Sequence, residues 1–246
     1  MADFPDVPNH GAGPTRFKRA LDGAASVSMI LAAGFVIAVS WLGYHRQNTS
    51  ARPAPPPLPT TPVSLAGAML RGDRAAPAVL IVFSDFQCPF CRAFTQQALP
   101  KILQGYVAPG KLLIAFRFFP LSIHPFGDLA ARAALCAGEQ NRFWEMHDQL
   151  FQSPQLNDSV LNESATAVGL DLVALKACEA MPRTEEAIQE DVRRARELKS
   201  TATPTFFLGR RQTDSTVTVL SRILGAQPFE IFQGEIDKVT GDGAGK

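Results

Sequence analysis

An apolar run of strand length, Ala78-Val79-Leu80-Ile81-Val82-Phe83, passes through Ser84-Asp85-Phe86-Gln87 and ends in Cys88-Pro89-Phe90-Cys91-Arg92. A run with no polar alternation suits a central strand covered on both faces. Pro89 suits the first position of a helix, where its missing N–H is no loss. The pattern therefore predicts a C-x-x-C pair at a strand-to-helix junction, and limits the fold to one that brings the end of a buried strand to the surface. There the positive end of a helix stabilises a thiolate, which is the reactive species of thiol-disulfide exchange.

The rest of the chain is ordered around that junction. Phe94, Ala98, Ile102 and Leu103 form the buried stripe of the helix, which Pro100 should kink. Lys111 to Phe119 reads as a second strand stopped by Pro120, completing β-α-β. Helical spacing follows: Leu129, Ala133, Cys136 and Ala137, then Phe143, Met146, His147 and Leu150. Asp171 can cap a further helix, with Leu170 and Leu175 as its hydrophobic staple. Thr184 to Lys199 is another, acidic at its start and basic at its end. Strand character returns at Thr205 to Leu208, ended by Gly209, and at Thr216 to Leu224; Pro228 to Val239 is an amphipathic helix. The expected class is α/β, βαβ plus ββα, with residues 66–125 and 201–240 in one domain, an inserted helical block at 126–200 and a flexible tail at 241–246.

The N-terminal part has a different composition. Residues 1–23 are polar and read as a cytoplasmic tail. Ala24 to Tyr44 carries no charged side chain and is long enough to span ~30 Å as a helix. A membrane signal-anchor at 24–44 is expected, with Arg16, Lys18 and Arg19 keeping the N-terminus inside. The rival reading is a signal peptide cleaved near Ala38-Val39-Ser40. Residues 45–65 hold a run of prolines from Pro53 to Pro62 and read as a semi-rigid spacer. The catalytic domain then lies outside the cytoplasm, periplasmic or extracellular. A net charge of +1 gives no reason to expect a nucleic acid partner.

Exchange needs an accessible thiolate and a second thiol close enough to resolve the mixed disulfide. Cys88, at the helix start, is the expected nucleophile; Cys91, one turn in, is the expected resolving cysteine. Two sulfurs suffice, so no cofactor and no metal is expected. The competing zinc reading lacks a second C-x-x-C or a paired histidine motif. Cys136 and Cys178 admit two readings, a buried disulfide or two buried free thiols; a bridge across that separation is worth about 4 kcal/mol in the chain-entropy model. His124 and His147 read as packing or helix-end residues, and Asp85 as a carboxylate that solvates its loop.

The ordered set F-S-D-F-Q-C-P-F-C-R, F-R-F-F-P-L-S-I-H-P-F-G-D-L-A-A-R-A-A-L-C-A, F-W-E-M-H-D-Q-L-F, T-P-T-F-F-L-G and G-A-Q-P-F resembles the DsbA-like thiol-disulfide oxidoreductases of the thioredoxin superfamily, nearest their membrane-anchored BdbD-like branch. The resemblance implies a thioredoxin fold with an inserted helical domain, a redox pair at Cys88 and Cys91, and a cis Pro204 opposite them. Pro89, Phe90, Thr203 and Pro204 would shape a substrate groove. It also implies exported proteins with cysteine thiols as substrates and a membrane redox partner, a quinone-linked oxidase or reductase. Disulfide introduction is the leading expectation; a reductase or isomerase working from the dithiol, and a non-catalytic binding module, are the alternatives. Two departures matter. Phe90 stands where strongly oxidising members have a histidine, and Val82 stands where some members have a buried acid.

Overall fold

The computed structural model describes residues 33–44, 56–213 and 215–241. Residues 1–32 and 45–55 lie outside it, and with them the expected tail, the first part of the anchor and most of the spacer. Residues 33–44 form a helix, α1. No helix among the described residues is long and apolar enough to cross a membrane. The compact unit begins at Pro56, and its first strand at Val63.

A six-stranded mixed sheet carries that unit, in the order β1 (Val63–Ser64), β6 (Thr216–Leu224), β5 (Thr205–Thr213), β3 (Ala78–Ser84), β4 (Leu112–Phe118), β2 (Met69–Arg71). β3 and β4 run parallel, joined by α2 (Pro89–Gln97), α3 (Leu99–Ile102) and a π-turn at Leu103–Val107. The other pairings are antiparallel. Five helices are inserted between β4 and β5: α4 (Gly127–Glu139), α5 (Phe143–Gln152), α6 (Asp158–Ala167), α7 (Leu172–Glu179) and α8 (Pro182–Glu197). α9 (Phe229–Thr240) closes the described chain.

Every residue of β3 and β4 is buried, as the uninterrupted apolar runs require. Alternate side chains of a strand face opposite sides. Leu80 and Val82 join Phe116, Phe206, Phe94 and Ile236 on one side. Val79, Ile81 and Phe83 join Leu113, Phe207 and Val217 on the other, under Val192 and Ala195 of α8. The first core continues into the insertion, where Phe86 stacks on Phe116 at 5.5 Å and meets Phe151 at 4.9 Å. Burying such a ring contributes about 1.5–3 kcal/mol. His147 is buried among these rings, where desolvation pushes its pKa down; its Nδ1 lies 2.8 Å from Asp148 Oδ1.

Pro100 breaks rather than bends its helix: α2 stops at Gln97, and Pro100 lies in the first turn of α3. Asp171 caps α7 as expected, its carboxylate accepting from the N–H groups of Val173 and Ala174. The expected stop at Gly209 is corrected, because β5 continues to Thr213. A register shift falls between Leu208 and Gly209, and a Cβ at Gly209 would lie 2.2 Å from the Thr218 carbonyl oxygen. This glycine permits a close backbone approach within the ladder, which its chain-breaking reputation conceals.

A buried ion pair ties the layers. Arg117, on β4, is paired with Asp191 of α8 and donates to the carbonyls of Ser64 and Ala66 at 2.8 and 2.9 Å. Asp191 also accepts from the Phe118 N–H at 3.0 Å.

Candidate active site

β3 ends at Ser84, and three residues later the chain turns into α2 with Cys88 as its N-cap and Pro89 in its first turn. Cys88 has an extended backbone, φ −72° and ψ 123°, and no side chain caps the helix. The unpaired N–H groups of the first turn therefore face the region of its sulfur. Because Phe83 of β3 pairs with Thr205 of β5, the segment just before β5 arrives at the same edge. Thr203 and Pro204 form that segment, joined by a cis peptide bond. The Cys88 Sγ–H donates to the Thr203 carbonyl oxygen at 3.4 Å.

Both cysteines are free thiols, buried at 3% and 0% exposure for Cys88 and Cys91. They differ in acidity. A hydrogen bond from the Cys91 side chain lowers Cys88 to about 6, against the opposing effect of burial; the Thr203 side chain and the N–H groups of Cys91 and Phe90 add to the lowering. Burial first, then the hydrogen bond given to Cys88 and the charge on it, push Cys91 well above the ordinary thiol value; the Ser84 side chain and the Asp85 backbone offset this only in part. One sulfur is thus a ready thiolate near neutral pH and its neighbour a held thiol, which is the division of labour that exchange requires.

Pro89 and Phe90 are exposed beside the sulfur, Phe90 at 61%, while Thr203 and Pro204 are buried. The four expected groove residues therefore flank Cys88 as an exposed apolar pair on one side and a buried wall on the other. Cys136 of α4 and Cys178 of α7 are bonded to each other, with Cα atoms 5.8 Å apart, inside the helical insertion.

Two expectations need correction. Asp85 does not solvate its loop: it is 1% exposed. Its Oδ1 accepts from the Gln87 N–H at 2.8 Å and its Oδ2 from the Leu121 N–H at 2.8 Å. The same Oδ2 lies 2.7 Å from Nδ1 of His124, so His124 is its partner rather than a packing residue. A signal was present in the sequence, an acid next to Phe86 and separated by Ser84 alone from the apolar run that ends at Phe83. Its partner, 39 positions away, was not readable from spacing.

Comparison with known proteins agrees with this geometry. A family model described as Thioredoxin matches residues 64–225. A Na(+)/H(+) antiporter NhaA 3 of Salinispora tropica is 35% identical over 145 residues, 58% of this chain and 22% of that protein. The chain spans about a fifth to a third of the length of the curated antiporters it matches. A probable disulfide bond formation protein D of Bacillus anthracis is 27% identical over 149 residues, covering 56% of this chain and 67% of that one. The crystal structure of alpha-DsbA1 from Wolbachia pipientis superposes with a TM-score of 0.62 at 26% identity, covering 76% of this chain and 94% of that one.

Proposed function

The chain belongs to the thioredoxin family as a thiol-disulfide oxidoreductase of the DsbA-like kind, and from that premise we propose that it introduces disulfides into exported proteins through Cys88 and Cys91, from a membrane-tethered position outside the cytoplasm. A substrate thiolate attacks Sγ of Cys88 in the oxidised pair. The Cys88–Cys91 bond breaks and Cys91 leaves, taking up a proton because burial disfavours its anion. A second substrate thiolate then attacks the substrate sulfur of the mixed disulfide and expels Cys88 as a thiolate. The substrate gains one disulfide, the protein gains two electrons and one proton on Cys91, and a membrane redox partner removes them.

The observation that supports the oxidising direction is the lowering of Cys88 to about 6 by the Cys91 side chain. A stabilised thiolate is a good leaving group, and it favours the reduced form, which raises the reduction potential. Phe90 contributes no hydrogen-bond donor from its side chain, so a milder oxidant than the strongest family members is expected. The potential of the pair, measured against glutathione, tests the direction: a value near about −270 mV would favour the reductase reading, and one toward about −120 mV the oxidase.

Tethering is supported by the charge-free run from Ala24 to Tyr44 and the Arg16, Lys18 and Arg19 that precede it. A reporter fused after Lys246 should be active on the outer side only. A mature protein beginning near Trp41 would replace the anchor by a cleaved signal.

A further inference from the structure

Asp85 touches both cysteines with its backbone and neither with its carboxyl. Its N–H donates to Cys91 Sγ at 3.5 Å, and its carbonyl oxygen accepts from the Cys88 N–H at 3.1 Å. The carboxyl is committed elsewhere, to Gln87 N, Leu121 N and the His124 ring. Gln87 makes a second fastening, its Oε1 accepting from the Phe126 N–H at 2.7 Å. Leu121 to Phe126 is the connection from β4 into α4, the entrance to the helical insertion. The cysteine loop and this entrance are therefore held together by three hydrogen bonds, two to the Asp85 carboxyl and one to the Gln87 side chain, while the Gln87 N–H bond to Asp85 braces the loop itself. Gly127 lies so close that a Cβ there would be 3.0 Å from Asp85 Oδ1.

We propose that Asp85 is a positioning residue for the Cys88–Cys91 pair, which it holds in register with the helical insertion through Leu121 and His124. The carboxyl fixes the residue whose two flanking peptide groups contact Cys91 and Cys88, so its loss loosens the donor to Cys91 and the start of α2 together. This rests on the exchange reading above. An asparagine at 85 turns an NH2 toward one of the groups that now donate to it, and so cannot reproduce all three bonds. Because no carboxyl oxygen contacts either sulfur, the expected effect is loss of the geometry that favours the Cys88 thiolate.

The test is the equilibrium constant of the Cys88–Cys91 pair with glutathione in the full chain, for wild type, Asp85→Asn and His124→Gln, together with the melting temperatures of the oxidised and reduced forms. Asp85→Asn should shift the constant toward the oxidised protein by about tenfold, or ~30 mV for a two-electron couple. His124→Gln, which leaves both backbone donors on Asp85, should shift it less and in the same direction, and it decides the matter if Asp85→Asn does not fold. A purely structural role would lower both melting temperatures equally and leave the constant unmoved. Constants within about twofold of wild type, or a shift toward the reduced protein, overturn the proposal. A wild-type pair that failed to equilibrate with glutathione would remove the exchange reading as well, so the two failures are distinguishable.

Discussion

The sulfur of Cys88 lies 3.4 Å from the carbonyl oxygen of Thr203, 115 positions further along the chain. Pairing of β3 with β5 creates this contact, since Phe83 faces Thr205 and both strand ends open at one edge. With Thr203 and Pro204 buried against the sulfur, the exposed residues beside Cys88 are Pro89 and Phe90.

Titration of the reduced protein by thiolate absorbance should show a midpoint near pH 6 that disappears in Cys88→Ser. Cys91→Ala should move that midpoint up more than Thr203→Ala does, because the Cys91 side chain is the largest of the lowering influences. The depressed pKa also fixes a sign. The thiolate stabilises the reduced fold fully above the ordinary thiol value of about 9, and that contribution fades as pH falls and is gone below about 6. Melting of the reduced form relative to the oxidised form should accordingly rise between pH 6 and 9, whereas a flat difference would contradict the assignment.

Asp191→Asn should destabilise the fold by about 3–5 kcal/mol in urea unfolding, because it leaves the Arg117 guanidinium buried without its counter-charge. Replacing the pair together by Met and Leu should recover much of that loss. An Asp191→Asn protein as stable as wild type would mean that Arg117 is held by the Ser64 and Ala66 carbonyls alone.

Removing the Cys136–Cys178 bridge by a double serine substitution should reduce stability by about 2–4 kcal/mol. Its sulfurs are buried and belong to helices of the insertion, so the glutathione equilibrium of Cys88–Cys91 should stay where it was. A moved equilibrium would show that the bridge takes part in the redox chemistry.

Two glycines should respond with opposite signs. Gly209→Ala forces a Cβ against the Thr218 backbone and should lose about 1–3 kcal/mol by denaturant unfolding. Gly234, exposed on α9 with nothing within reach of its Cβ, should gain about 0.5–1 kcal/mol on the same substitution. Equal effects at the two positions would refute the packing account.

What could be read from the sequence was local. β3, β4 and α2 follow from two apolar runs and a proline, and α7 follows from Asp171. The short strands β1 and β2 escaped because two or three residues carry no period; they are strands through pairing with β6 and β4. At the site, the cysteine spacing was visible and the Asp85–His124 contact was not, because a hydrogen bond between distant loops leaves no local pattern. The same holds for Arg117, a charge inside an otherwise apolar strand whose partner lies 74 positions away.

Phe86 belongs at once to the loop before Cys88 and to the ring cluster of α5, and the apolar interior around it runs without a break from Cys91 to Leu175. The inserted helices consequently have no hydrophobic interior of their own to keep when the sheet opens. Sheet and insertion should melt as a single cooperative transition, and a protease should find no surviving fragment of either.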